Sequence, residues 1–432
     1  MRILHTSDWH LGQHFMGRTR TREHEAFLHW LLKLLDEKKV DALVVAGDIF
    51  DTGTPPSYAR TLYNEFIVSL QQTCCRQLLI LGGNHDSEAT LNEGRSLLAC
   101  LNTRVTAGIS DDPEDHVMVL EDGTGSLGLI LCAVPFLRPR DLVRSAGGQS
   151  GREKQLAMGQ AIQSFYSRVF EAARSTQADL ARDGRALPIL ATGHLTVVGG
   201  KSSDSVRDIY IGSLDAFPAS GFPPADYIAL GHLHRGQAVK DRDYIRYSGS
   251  PIPLSFDEGG RDKQVLLADF KAGALAAVQP VAVPCFRRLV CLKGNLEEIE
   301  AGVRDLAREA AASAGETWGR RTVWLEAEVR DDDYLTDLQD RIQAMVEDQD
   351  TGSGPAMALL RVRRHRRGDT PGLAPENRER LEELTPREVF SRRIAVESLA
   401  EDQVQILNTL FEEILDHIET DGAAPPAQGE TP

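Results

Sequence analysis

The chain has 432 residues, 41% of them hydrophobic, with 64 acidic against 48 basic side chains and a formal net charge of −16. That length and apolar content suit one large domain with smaller appendages around a sizeable core. The acidic balance argues against a protein that coats nucleic acid indiscriminately, though not against an enzyme reaching DNA through a local basic groove or a basic partner.

The chain opens on MRILHTSDWH, without a charged-then-apolar leader, and no run approaches the roughly 18 apolar residues of a membrane span, so a cytoplasmic location is expected. Ile3 to Thr6 reads as a strand. Glu23 to Lys39 reads as an amphipathic helix with Ala26, Phe27, Trp30, Leu31, Leu34 and Leu35 in one stripe. Strands are expected at 42–46, 78–81, 127–134, 187–192, 227–230 and 244–247, with a helix at 57–70. Strands separated by helical segments predict an α/β layered architecture over residues 1–283.

Pro284 opens a second α/β module, residues 284–365, with strands at 286–292, 321–329 and 356–362 and helices at 296–312 and 334–346. A charged linker with Pro371, Gly372 and Pro375 is expected at 366–384. Thr385, Pro386 and Glu388 make a good helix start, and Val404, Leu407, Phe411, Ile414 and Ile418 form an apolar stripe. This helix pair, 385–419, is too small for its own core and needs a partner surface. The Gly/Ala/Pro-rich segment 420–432 reads as a disordered tail. Cys74, Cys75, Cys100, Cys132, Cys285 and Cys291 form no metal-ligand spacing and read as small buried hydrophobes in a reducing compartment.

The chemistry lies where strands end. Asp8 follows ILHTS, Asp48 follows ALVVAG, Asn84 follows LLILGG, His194 follows LPILATG and His232 follows YIALG. In an open α/β sheet such positions gather on one rim. His10 and His234 lie two residues beyond Asp8 and His232, so each pair can face one site from an extended segment. Carboxylate, amide and imidazole without thiolate suit manganese, iron or magnesium better than a structural zinc. A two-metal site needs a bridging carboxylate. Singly, each residue is as well explained as a turn, a cap or a core histidine; the ordered set carries the reading.

The ordered strings DWH, GDIFD, GNHD, GHL and GHLH resemble the calcineurin-like metallophosphoesterases. The longer strings HTSDWHLG, HLTVVGGKSSDSVRDIYIG, PPADYIALGHLHR and YSGSPIPLSFDE resemble the SbcD family of nucleases within them. The resemblance implies two stacked mixed sheets flanked by helices, with a small α/β capping domain and a C-terminal helix pair. It implies two divalent ions, Mn2+ with Mg2+ or Fe2+ as alternatives. Asp8, His10, Asp48 and His234 would hold one, and Asp48, Asn84, His194 and His232 the other, with Asp48 as the bridge. His85 would contact the scissile phosphate and protonate the leaving oxygen or stabilise the transition state. Asp51, the second aspartate of GDIFD, is expected to orient His85, with Asp86 as the alternative.

The implied activity is a double-strand 3'-5' exonuclease and single-strand or hairpin endonuclease in an ATP-controlled DNA end-processing complex. The alternatives are a phosphoesterase acting on small phosphodiesters or phosphoproteins, and a non-catalytic scaffold. No P-loop string occurs, so any ATPase must be another chain. The resemblance implies an SbcC-like coiled-coil ATPase docked on the terminal helix pair, and a homodimer of this chain within a heterotetramer, with 58–70 and 91–101 as dimer helices. Arg18, Arg20, Arg22, Lys201, Ser202, Ser203, Arg207 and Arg235 are candidate DNA-backbone contacts, each equally readable as a solvated surface group. The basic run 361–367 either shapes DNA access or balances the acidic tail.

Overall fold

The computed structural model describes residues 1–143, 151–181, 187–206, 216–312, 323–330, 336–349 and 357–364, with Leu407 beyond them. Arg207, the linker, the tail and, apart from Leu407, the terminal helix pair lie outside the described residues.

Two six-stranded sheets make up the larger part. The first runs, edge to edge, Ala274–Val283, Lys263–Lys271, Arg2–Thr6, Ala42–Ala46, Gln77–Leu81 and Thr103–Thr106. Its last four strands are parallel, and the hairpin at 263–283 pairs antiparallel onto Arg2–Thr6. The second runs Gln237–Val239, Arg242–Tyr247, Tyr227–Gly231, Ile189–His194, Leu127–Cys132 and Val117–Glu121, parallel through its four middle strands. The fold class read from the sequence, two stacked mixed sheets with helices outside, is the one observed.

Period two explains the layering. In Ala42–Ala46 all five residues are buried. Leu43 and Val45 join Phe27, Leu31 and Phe66 of the outer helices Thr21–Lys38 and Ser57–Leu70. Ala42, Val44 and Ala46 face inward and pack with Leu131, Leu190 and Ala229 of the second sheet. That sheet's outer face (Ile130, Ile189, Ile228) is covered by Ile162, Tyr166 and Val169 of the long helix Gly151–Ala181.

Sequence reading did not foresee that long helix or the hairpin at 263–283. Strand Ala274–Val283 is a sheet edge with mostly half-buried or exposed residues, so it lacks a continuous apolar run. Strand Leu127–Cys132 stops two residues short of expectation because Val134 N–H turns to the Thr192 hydroxyl at 2.8 Å. Of the cysteines, only Cys75 and Cys132 are buried; Cys74, Cys100 and Cys285 are exposed and Cys291 is intermediate, which corrects the uniform reading of them as core.

The second module is a parallel sheet of Leu289–Gly294, Val323–Val329 and Met357–Arg364 covered by helices Leu296–Ala312 and Leu338–Glu347. Its own core holds Ile299, Val303, Leu325, Ala327, Ile342 and Leu359. It meets the larger part through a separate cluster of Phe15, Phe256, Leu289 and Trp324. The Phe15 and Trp324 rings stack at 5.6 Å, and the Arg20 and Arg287 guanidinium groups lie 5.4 and 4.9 Å from Trp324.

Candidate metal centre

Strands from both sheets end at one rim, and the chain leaves them in strained conformations. Asp8, His10, Asp48 and His232 have φ of 54°, 47°, 51° and 93°. A non-glycine residue held there costs about 1–3 kcal/mol, and such residues persist where the surroundings impose them. The imposing bonds are visible: Asp8 N–H donates to Gly47 O at 3.0 Å, His10 N–H to Asp48 O at 3.1 Å and Leu11 N–H to Ile49 O at 2.9 Å. Gly47, at φ +92°, has no room for a Cβ because the His194 ring fills that space.

These bonds converge the side chains. Asp48 lies between two imidazoles: its Oδ2 is 3.2 Å from His194 Nε2 and 3.5 Å from His10 Nε2, while Oδ1 accepts His85 N–H at 2.9 Å. Asn84 Oδ1 is 2.9 Å from His194 Nε2 and 3.1 Å from His232 Nδ1. Asp8 Oδ1 accepts His232 N–H at 2.8 Å. Ligand-type atoms of Asp8, His10 and His234 fall within 4.8 Å of one another, as do those of Asp48, His194 and His232, and those of His10, Asp51 and His85. All seven residues named as ligands from the sequence, and His85, are thus brought to one place.

The electrostatics favour positive charge there. Burial opposes protonation of His194, but Asp48 and Asp8 overcome it and lift the ring to about 9. Burial likewise opposes charge on His10, which Asp51, Asp48 and Asp8 nonetheless hold above its ordinary value. Asp48 is held well below the usual carboxylate range: burial disfavours its charge, and His194 and His10 outweigh that. His232 falls well below the imidazole range through burial and the neighbouring His194. The Nε2 atoms of His10 and His232 are buried without a hydrogen-bond partner. A buried polar atom left so costs about 1–3 kcal/mol. Lone pairs of that kind, beside carboxylates and an amide oxygen and with no thiolate, fit a pair of hard-to-borderline divalent cations.

Outer partners fix the rings. His194 Nδ1 donates to Ala46 O at 2.9 Å, and His85 Nδ1 to Asp51 O at 2.8 Å. Asp51 therefore holds His85 through its main chain; its carboxylate goes instead to His10 Nδ1 at 3.1 Å, drawn to that fully buried ring. Asp86 is more than a turn residue: it accepts from Ile49, Phe50 and Gly83 N–H at 3.1, 2.9 and 2.9 Å, tying the Asp48 loop to the Asn84 loop. Burial and the Asp48 charge raise its carboxyl to about 6.

Of the expected DNA contacts, Arg18, Arg22, Lys201, Ser202 and Arg235 are exposed. Arg20 is not. It is fully buried, 3.3 Å from Glu23, 3.2 Å from Gln13 Oε1 and 2.6 Å from Pro253 O, and belongs to the junction with the second module. Ser203 turns its hydroxyl to Glu258 at 2.8 Å. Sequence reasoning missed Glu258, buried at 2% exposure beside His234; its only signal was the acidic end of the SFDE string. Burial raises the Glu258 carboxyl, but His234 and Lys263 outweigh that and hold it well below the ordinary range.

Residues 1–236 match the family model for calcineurin-like phosphoesterases, and residues 285–398 match that for the type 5 capsule protein repressor C-terminal domain. The SbcD component of nuclease SbcCD from Escherichia coli K12 is 50% identical over 414 residues, 95% of this chain and 97% of that protein. The SbcD components from Rhodobacter capsulatus and Bacillus subtilis are 37% and 32% identical, over 71% and 78% of this chain and 76% and 81% of their own lengths.

Proposed function

This chain belongs to the calcineurin-like phosphoesterases, in the family of SbcD nucleases, and from that premise we propose that it is the metal-dependent nuclease component of a DNA end-processing complex. The observation that carries the reading is Asp48, held between His10 and His194 where a bridging carboxylate belongs. Asp8, His10, Asp48 and His234 would hold one ion, and Asp48, Asn84, His194 and His232 the second. The chemistry of such a pair, for which the family resemblance implies Mn2+ with Mg2+ or Fe2+ as alternatives, is Lewis acidity toward the phosphoryl group and toward an attacking water. His85 donates Nδ1–H to the Asp51 carbonyl, which fixes the ring; in the doubly protonated imidazolium a second proton on Nε2 would be the one given to the leaving oxygen. Arg18, Arg22, Lys201 and Arg235 are exposed, and their role in this reading is to neutralise backbone phosphates.

The finer reading follows the family: 3'-5' exonuclease on duplex ends, endonuclease on single strands and hairpins, with an SbcC-like ATPase as partner. A homodimer is supported by a groove between helix Ser57–Leu70 and residues 90–101, where Val68 and Leu97 stand 58% and 72% exposed. The test is Mn2+-dependent cutting of end-blocked hairpin DNA, with and without the ATPase, beside a small phosphodiester. His85→Ala should lose about 10²–10⁴-fold in cutting. Undiminished cutting by that variant, or turnover of the small ester alone, would refute the reading.

A further inference from the structure

His234 differs from His194 and His85 in how its outer nitrogen is held. His194 and His85 donate Nδ1–H to main-chain carbonyls. His234 Nδ1 instead lies 2.6 Å from the Ser205 hydroxyl, and that hydroxyl is in close contact with Glu258 Oε1. An ionised carboxylate can only accept, so the Ser205 O–H donates to Glu258 and its oxygen is left to accept from His234. The proton of His234 is then fixed on Nδ1 and its Nε2 lone pair is left for the cluster with Asp8 and His10. Glu258 is itself immobile. Its Oε2 accepts from Lys263 Nζ at 2.5 Å, Leu254 N–H at 3.0 Å and the Ser250 hydroxyl at 3.3 Å. Ser203 also donates to Oε1, at 2.8 Å. The Ser255 hydroxyl, 3.2 Å from Oε1, is a sixth donor, so six groups hold one buried carboxylate that lies 3.4 Å from His234 Nδ1. Two residues earlier on the same short turn, Phe256 belongs to the cluster with Phe15, Leu289 and Trp324 on which the second module rests.

We propose that Glu258, acting through the Ser205 hydroxyl, is a positioning residue for His234: it fixes the ring's tautomer and aim, and with them the affinity of the ion His234 would hold. The proposal rests on the reading of His234 as a metal ligand. Neither Glu258 nor Ser205 touches the reacting atoms. Outer partners of ligating histidines typically set about 10–100-fold in metal affinity.

The test is Mn2+ binding to the full chain by titration calorimetry, with apo melting temperatures measured in parallel. Ser205→Ala and Glu258→Gln should weaken one of the two Mn2+ equivalents by about 10–100-fold, and Ser205→Thr, which keeps the hydroxyl, should bind as wild type. Ser205→Ala leaves the Glu258–Lys263 pair intact and so covers the case in which Glu258→Gln fails to fold. Wild-type affinity in Ser205→Ala, or a loss that Ser205→Thr fails to restore, would overturn the proposal. His234→Ala separates the two readings: if it binds two equivalents with unchanged affinity, the ligand assignment itself fails, whereas if it loses one while Ser205→Ala and Glu258→Gln do not, only the positioning role fails.

Discussion

Gly83 is the glycine of the metal centre that lies directly against Asp48, and replacing it with alanine should disable the site without unfolding the protein. An ideal Cβ there would run into Asp48 Oδ1 and N, and would lie 2.8 Å from Asp48 Cγ. Non-bonded carbons rest at about 3.5–4.0 Å, so the carboxylate, and the Asp48 main chain with it, must retreat by roughly 1 Å. It has little freedom to do so, because Oδ1 accepts His85 N–H and Oδ2 sits between His194 and His10. A misplacement of about 1 Å in a catalytic arrangement costs about 100-fold in rate, and crowding of a packed interior costs about 1–3 kcal/mol. Gly83→Ala should therefore cut Mn2+-dependent DNA hydrolysis about 100-fold with only a modest fall in melting temperature. Gly53→Ala, whose Cβ would meet Ser87 Cβ at an ordinary 3.4 Å, is the control and should stay near wild type. Activity of Gly83→Ala within a few-fold of wild type at saturating Mn2+ would mean that the loops relax, and would refute the argument that this close approach fixes Asp48.

Arg18 and Arg20, two residues apart, should behave oppositely. Arg18→Ala, at an exposed position, should lower the slope of log affinity for DNA against log salt by about one, whereas Arg20→Ala should leave the slope alone and destabilise by about 1–3 kcal/mol, because Pro253 O and Gln13 lose their donor while buried Glu23 keeps Arg287 at 3.2 Å. A changed slope with unchanged melting in Arg20→Ala would contradict its structural role. Trp324→Ala removes the stacked ring at the junction and should cost about 3–5 kcal/mol, splitting the calorimetric transition so that residues 289–364 melt first; a single unshifted transition would count against that junction as the main contact. Asp269, hydrogen-bonded to Arg2 at 2.7 Å, is held below the ordinary carboxylate range. A depressed carboxylate contributes stability above its unfolded value of about 3.9 that is lost as pH falls, so Asp269→Asn should lose less melting temperature than wild type between about pH 5 and pH 3. Parallel acid curves would rule that pair out.

The rim was legible because an all-apolar strand and an abrupt polar residue leave a mark in one dimension: ALVVAGD and YIALGH each state a buried strand and its end. What the sequence could not state was which atom of a residue is used. Asp51 was expected at His85 and is there, yet its main-chain oxygen makes the contact while the carboxylate serves His10. Arg20 was read as a candidate backbone contact because it follows the DWH motif between Arg18 and Arg22; Pro253 and Trp324, distant in the chain, return to help bury it. Glu258 was invisible for the same reason, since its partners Ser203, Ser205, Lys263 and His234 meet it only in three dimensions. Long-range pairing leaves no local period to read.

The site's dependence on both sheets carries a consequence for assembly. Asp8, Asp48 and Asn84 come from the ends of the first sheet, and His194, His232 and His234 from the second. They meet only if the inner faces stack in register, with Val44 and Leu79 against Leu131, Leu190 and Ala229. A direct tether crosses the interface at the rim, from His194 Nδ1 to Ala46 O. The strained φ values at Asp8, Asp48 and His232 lie at this same seam. The unpartnered Nε2 atoms of His10 and His232 oppose stacking there, while the apolar inner core and the Asp48–His194 pair, which joins the two sheets at 3.2 Å, favour it. The core and that pair together therefore have to outweigh the cost of burying the unpartnered nitrogens. Any cation bound among these residues would bind the stacked form alone, and would stabilise it by an amount set by its concentration relative to its Kd.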